Sequence, residues 1–147
     1  MPVIIVGADT PLGRAIVGEV APNAAELRTF ISDPDAIDEF KRHNAKVAIG
    51  DVSDSSHIEG AAMRCFCAVL VVEAALDDRE RSFAADAAAV TAGWAEAVRN
   101  AGVRRVIWVG RTDPLPSTVD EVVVIDPGTP TDTARKVAEA EEAASIR

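Results

Sequence analysis

Gly7 and Gly13 stand six residues apart, directly after the apolar run Val3-Ile4-Ile5-Val6. Glycines placed so, between a strand and a helix, let backbone amides approach linked phosphates. The first glycine permits the tight turn, and the last lets the helix pack on the strand. A middle glycine opens the backbone to the pyrophosphate, but here that position is Thr10, followed by Pro11. Threonine is a good N-cap, and proline suits the first helical turn because its missing N–H would have no partner there. A helix is therefore expected to begin at Pro11. Proline also removes a donor, and the Thr10 side chain takes space that glycine would leave open. The turn Gly7, Asp9, Thr10, Pro11, Leu12, Gly13 is thus expected to be a weakened phosphate site. In it the amides of Leu12 and Gly13, with the helix dipole, still face an anion. The alternative is a strand–turn–helix without a ligand.

Further along are carboxylates suited to the rest of such a ligand. Asp33 comes twenty residues after Gly13, just past a second apolar run. That is the place for an acid that accepts hydrogen bonds from an adenosine ribose, and it favours NAD over NADP because a 2′-phosphate would be repelled. Arg14 could counter that repulsion. Asp33 also opens Asp-Pro-Asp ahead of a helix, so a capping role is equally open. In "GDVSD", residues 50–54, Asp51 is placed to meet an adenine amino group, with Val52 beside it, or else to shape a turn. Cys65 and Cys67 are two apart, which suits neither a CxxC redox pair nor a zinc site, and are expected to be reduced, inward-facing thiols. His43 and His57 are isolated in polar surroundings and read as surface histidines. No metal site is expected.

The elements that must position these residues follow from apolar periodicity. Strands are expected at 3–6, 27–31, 47–49, 68–72, 106–109 and 122–125, and helices at 11–20, 35–43 and 55–64. A long helix from Arg79 to Ala101 should carry a stripe of Phe83, Ala87, Val90, Trp94, Ala97, Val98 and Ala101, with Gly102 as its C-terminal cap. An Ala/Glu/Lys-rich helix runs from Thr131 to the end. The stretch 113–118 carries two prolines and reads as a loop. Strands alternating with helices imply parallel pairing and right-handed crossovers. The expectation is one α/β domain over 1–147: a doubly wound sheet of about six strands in the order 3-2-1-4-5-6.

The chain has 147 residues, 48% of them hydrophobic, and a net charge of −9. This length suits one domain. The acidity disfavours binding to a nucleic-acid backbone. No run approaches a membrane span, and the N-terminus reads as a strand rather than a signal peptide, so a cytoplasmic protein is expected.

Together these segments resemble the short-chain dehydrogenase/reductase superfamily, closest to its atypical NmrA-like and nucleoside-diphosphate-sugar epimerase-like branch. The resemblance rests on Gly7-Ala-Asp-Thr-Pro-Leu-Gly13, on "GDVSD", and on "AGVRRVIWVG" at 101–110. It implies a Rossmann fold and a NAD or NADP cofactor. It further implies that small residues after the fourth strand, here Ala74 and Ala75, pass beneath that cofactor, while Glu73 would set a negative charge near it. Active members use a tyrosine with a lysine four residues on, aided by a serine or threonine after the fifth strand. This chain has no tyrosine, Gly110-Arg111 stands at the usual Ser-Ser, and Asp132 lies four residues before Lys136. Members usually continue well past this length, so a truncated member is expected.

Three readings follow. The preferred one is a non-catalytic cofactor-binding or regulatory module. The second is a nicotinamide-dependent oxidoreductase or epimerase-like enzyme using Thr112 and Lys136. The third is a dimeric interaction protein with a decayed nucleotide site, pairing through the helix from Arg79 to Ala101 with Phe83 and Trp94. Core packing is the competing role for those two aromatics.

Overall fold

Strands rich in valine and isoleucine hold together when both faces of their sheet are covered, and each strand then sends alternate residues into two different cores. In the computed structural model, which describes residues 2–111 and 119–143, six parallel strands form one sheet in the order β3-β2-β1-β4-β5-β6. The elements are β1 (Pro2–Val6), α1 (Pro11–Val20), β2 (Glu26–Ile31), α2 (Ile37–Lys41), β3 (Lys46–Ile49), α3 (Ser55–Ala62), β4 (Cys67–Val71), α4 (Glu73–Leu76), α5 (Ala87–Ala101), β5 (Arg105–Val109), β6 (Glu121–Ile125) and α6 (Pro130–Glu142). This is an α/β Rossmann-like fold. Val3 and Ile5 of β1 face one core, with Ile16 and Val17 of α1 and Val137 of α6. Ile4 and Val6 face the other, with Ile58 of α3 and Trp94 and Val98 of α5. Among the described residues no helix is long and apolar enough to cross a membrane.

Helix boundaries depart from the periodic reading in three places. The long helix begins at Ala87, not Arg79, because Asp86 caps it by accepting the amide of Ala89. The preceding residues 77–82 are polar and offer no apolar face to pack. Phe83 accordingly lies outside the helix and is 70% exposed, whereas Trp94 is fully buried and donates its indole N–H to the Val52 carbonyl at 2.8 Å. Trp94 is therefore core and unavailable for the pairing surface expected of that helix. The helix expected at 35–43 divides into a 3-10 turn, Pro34–Ala36, and α2. The third difference is α4, a helical turn beginning with Glu73, Ala74 and Ala75 that the periodic reading did not include. Gly102 caps α5 in the left-handed conformation, as its position suggested. The proline-bearing stretch 113–118 and Thr112 lie outside the described residues.

At the opposite end of the sheet from the glycine turn, Arg105 of β5 is wholly buried. Its guanidinium pairs with Glu121 at 3.1 Å and lies over the Phe66 ring, 5.3 Å from the centroid. It also donates to the carbonyls of Ala140, Glu141 and Ala143 at 2.8–3.1 Å, which places a cation on the negative end of α6. Both cysteines are free and buried, and burial pushes the Cys67 thiol far above its usual range. Arg105→Ala should lower stability by about 3–5 kcal/mol in urea melts, because it strands Glu121 and the last carbonyls of α6. Arg105→Lys should recover only part of that, since an ammonium lacks the planar fork.

Candidate functional site

In a sheet of this order the sequence of strands reverses between the parallel neighbours β1 and β4, and the crevice at their carboxyl ends is where such folds bind ligands. A cleft of about 560 Å³ opens there. Pro11 and Leu12 of α1, Glu73 and Leu76 of α4, Gly110 and Arg111 after β5, and Pro130 of α6 line it. The N-termini of α1 and α6 both border this space.

The glycine turn is built tightly. Gly7 has φ +84°, and a side chain at Gly13 would meet the Gly7 carbonyl at 2.2 Å, so the outer glycines are sterically required. Thr10 caps α1 as expected: its hydroxyl accepts the Gly13 amide at 2.8 Å and donates to the Gly7 carbonyl at 3.0 Å. The side chain is folded into the turn and buried, so it does not line the cleft as anticipated. The expectation that the Leu12 and Gly13 amides stand open is also corrected. Gly13 is taken by Thr10, and the Leu12 amide donates to the Glu73 carboxylate at 3.3 Å. An internal anion thus sits at the positive end of α1.

The helical form of α4 explains this. Residues three and four apart share a helix face, so Glu73, Leu76 and Asp77 turn to the cleft, while Ala74 and Ala75 are buried. Ala74 packs under Gly7: a side chain there would meet its Cβ at 2.7 Å.

On the other side of the crevice, Asp9 is the organising group. Its side chain is 3% exposed. It accepts the amides of Ser32 and Asp33 at 3.0 and 3.1 Å and the Arg79 guanidinium at 2.6 Å. Burial works to raise its pKa, but the Arg79 contact and the two amides outweigh that and hold it below the ordinary carboxylate range. Asp33 is exposed, and its carboxylate caps the following turn by accepting the Asp35 amide at 2.9 Å. Asp51 accepts the Ser53 amide and hydroxyl and the Ser82 amide, the last at 2.7 Å. Its pKa too is lowered: burial opposes, but these donors prevail. Val52 is buried, its carbonyl held by Trp94. Arg14 is engaged by Glu39 at 2.8 Å and by the Asp9 carbonyl at 2.7 Å.

The structure therefore gathers Gly7 to Gly13, Asp33, Asp51 and the Ala74 turn along one edge of the sheet. Lys136 is exposed on α6 and does not line the cleft, and Asp132 pairs with Arg135. Arg79, Ser82 and Arg111 escaped the sequence reading. The first two were assigned to a helix, though the polar run "DDRERS" and the capping Asp86 signal a loop before it.

Thr10→Ala should lower stability by roughly 1–2 kcal/mol and Thr10→Gly by only a few tenths, as chemical denaturation would measure. The depressed Asp9 pKa stabilises the fold above its unfolded value of about 3.8, and that contribution is lost as pH falls through the folded value. The stability gap between wild type and Asp9→Asn should therefore be constant near neutrality and shrink below pH 3.8.

Similar folds occur in larger proteins. The NADPH-dependent quinone oxidoreductase of Escherichia coli, solved with NADPH, has 15% identity and a TM-score of 0.61 over 95% of this chain and 45% of its own. The triphenylmethane reductase of Citrobacter sp., solved with NADP(H), has 13% identity and a TM-score of 0.62 over 75% and 37%. A nucleoside-diphosphate-sugar epimerase of Staphylococcus aureus has 17% identity and a TM-score of 0.61 over 75% and 38%. At these identities the likeness is one of fold, and the chain spans less than half the length of each. No curated protein matches the sequence. The family model described as NAD(P)H-binding matches residues 7–143, nearly the whole chain, and by that match the protein belongs to the NAD(P)H-binding family.

Proposed function

We propose that this protein is a nicotinamide-dinucleotide binding module without the tyrosine-dependent proton chemistry of its active relatives. The observation that carries the reading is the 560 Å³ cleft at the β1/β4 reversal, bordered by the glycine turn and by the N-termini of α1 and α6. The residues fit the group. Gly7 and Gly13 keep the turn close to the strand. Gly110 lets the end of β5 pack against Val72, since a side chain there would meet Val72 at 2.6 Å. Relatives of the same fold solved with NADPH and NADP(H) support a nicotinamide cofactor.

When bound, a nicotinamide dinucleotide supplies hydride transfer. The chain's own residues would bind and orient it. Leu12 would offer its amide to the pyrophosphate once Glu73 gives way, and Arg111 borders the same cleft. Asp33 and Asp51 would take the ribose and adenine, with Asp9 beside them. Because these are carboxylates and Arg14 is already engaged, the site favours NAD over the extra phosphate of NADP. With no tyrosine in the chain, no phenol can donate or accept the proton that reduction of a carbonyl requires.

Ligand binding to the folded state stabilises it by about 2.7 kcal/mol when the ligand is at a hundred times its dissociation constant. Thermal melts should therefore rise with NAD and rise less with NADP at equal concentration. No shift with either at millimolar concentration would sink the reading. Glu73→Gln removes the charge that competes with the pyrophosphate and should tighten NAD binding about tenfold by calorimetry, equivalent to about 1.4 kcal/mol.

A further inference from the structure

We infer that residues 77–83 form an internal strap across the carboxyl ends of β1, β2 and β3, where the adenosine half of a dinucleotide would lie, and that this strap must lift before a whole dinucleotide can bind. The inference deepens the dinucleotide reading and rests on it. After α4 the chain does not run directly to α5. It crosses the carboxyl ends of β1, β2 and β3, and it is tied down beyond each of them. Arg79 reaches Asp9 after β1 at 2.6 Å and the Ser32 hydroxyl after β2 at 3.4 Å. The Ser82 amide binds Asp51 after β3 at 2.7 Å, and the Phe83 amide binds the Ser53 hydroxyl at 2.9 Å.

These ties occupy Asp51, one of the acceptors that an adenosine would use, and Asp9 beside it. In a sheet of this order the adenosine half of a dinucleotide extends over β1, β2 and β3. The ribose hydroxyls and the adenine amino group are donors, as are the Arg79 guanidinium and the Ser82 amide. Ligand and strap therefore compete for Asp51, while Asp33 is held by the Asp35 amide and not by the strap. The cleft beside Glu73 and Arg111 is left open, so the nicotinamide half meets no such competitor.

The strap is held by polar ties, the strongest of them the Arg79–Asp9 ion pair, rather than by apolar packing. Its one aromatic side chain, Phe83, is 70% exposed. Segments with little buried apolar surface open at a small fraction of the global unfolding free energy. Arg81, which donates to the Ala75 carbonyl at 3.1 Å, and Asp77, which pairs with Arg79, keep the strap's base near α4. Opening then swings residues 79–83 outward about Asp77 and breaks the Arg81 tie along with those to Asp9, Asp51 and Ser53.

The test is calorimetric titration of wild type, Arg79→Ala and Ser82→Pro with ADP-ribose and, separately, nicotinamide mononucleotide. Ser82→Pro removes the amide that holds Asp51 and leaves every charge in place, so it decides the matter even if loss of the Arg79 cation weakens anion binding. The expected result is ADP-ribose binding at least tenfold tighter to Ser82→Pro than to wild type, with the mononucleotide unchanged. Trypsin should cut wild type after Arg79 and Arg81 several-fold faster when ADP-ribose is present. Equal ADP-ribose affinity for wild type and Ser82→Pro would overturn the strap while leaving the dinucleotide reading intact. Failure of all three proteins to bind either probe at millimolar concentration would overturn both.

Discussion

Two backbone amides at the start of α1 govern this end of the molecule. A helix leaves its first N–H groups without acceptors, and in a buried turn each must find one. Gly13 finds the Thr10 hydroxyl, three residues away. Leu12 finds the Glu73 carboxylate, which arrives from beyond β4. The first bond lets the turn do without its middle glycine. The second joins β1 and β4 across the switch in strand order by setting a carboxylate at the positive end of α1.

The same pattern recurs after β1 and β3. Asp9 and Asp51 are carboxylates with depressed pKa values, and both are supplied with donors from within the chain. The protein carries a net charge of −9, yet the acids at this edge are paired rather than left facing one another. Any ligand must offer donors at least as good as those it displaces, because a buried carboxylate left without partners is costly.

The sheet and the site differ in what holds them. β4 and β5 are buried along their whole length, and their residues pack into two apolar cores. Arg105 closes the amino-terminal end of the sheet by clasping α6. Against that rigid frame the crossing at 77–83 is attached only by polar ties. Rigidity where strands are positioned, with looseness where a ligand enters, is how binding folds separate stability from access.

Much of the frame was legible from residue order alone. Runs of β-branched residues mark the strands, Thr10-Pro11 marks the start of α1, and Gly102 marks the end of α5, because each of these signals acts within a few residues of itself. Strand order followed as well, since alternating strands and helices admit few arrangements. Legibility failed where partners are distant in the chain. Glu73 meets Leu12 across 61 residues, Arg79 meets Asp9 across 70, and Ser82 meets Asp51 across 31. No local periodicity encodes such pairs, so Asp9 and Leu12 could be named as site residues without their present partners being seen. The sequence by itself determined the sheet, the glycine turn and the acids along its edge. Only the tertiary structure decided which donors those acids hold, because that depends on where the folded sheet brings the segment after β4.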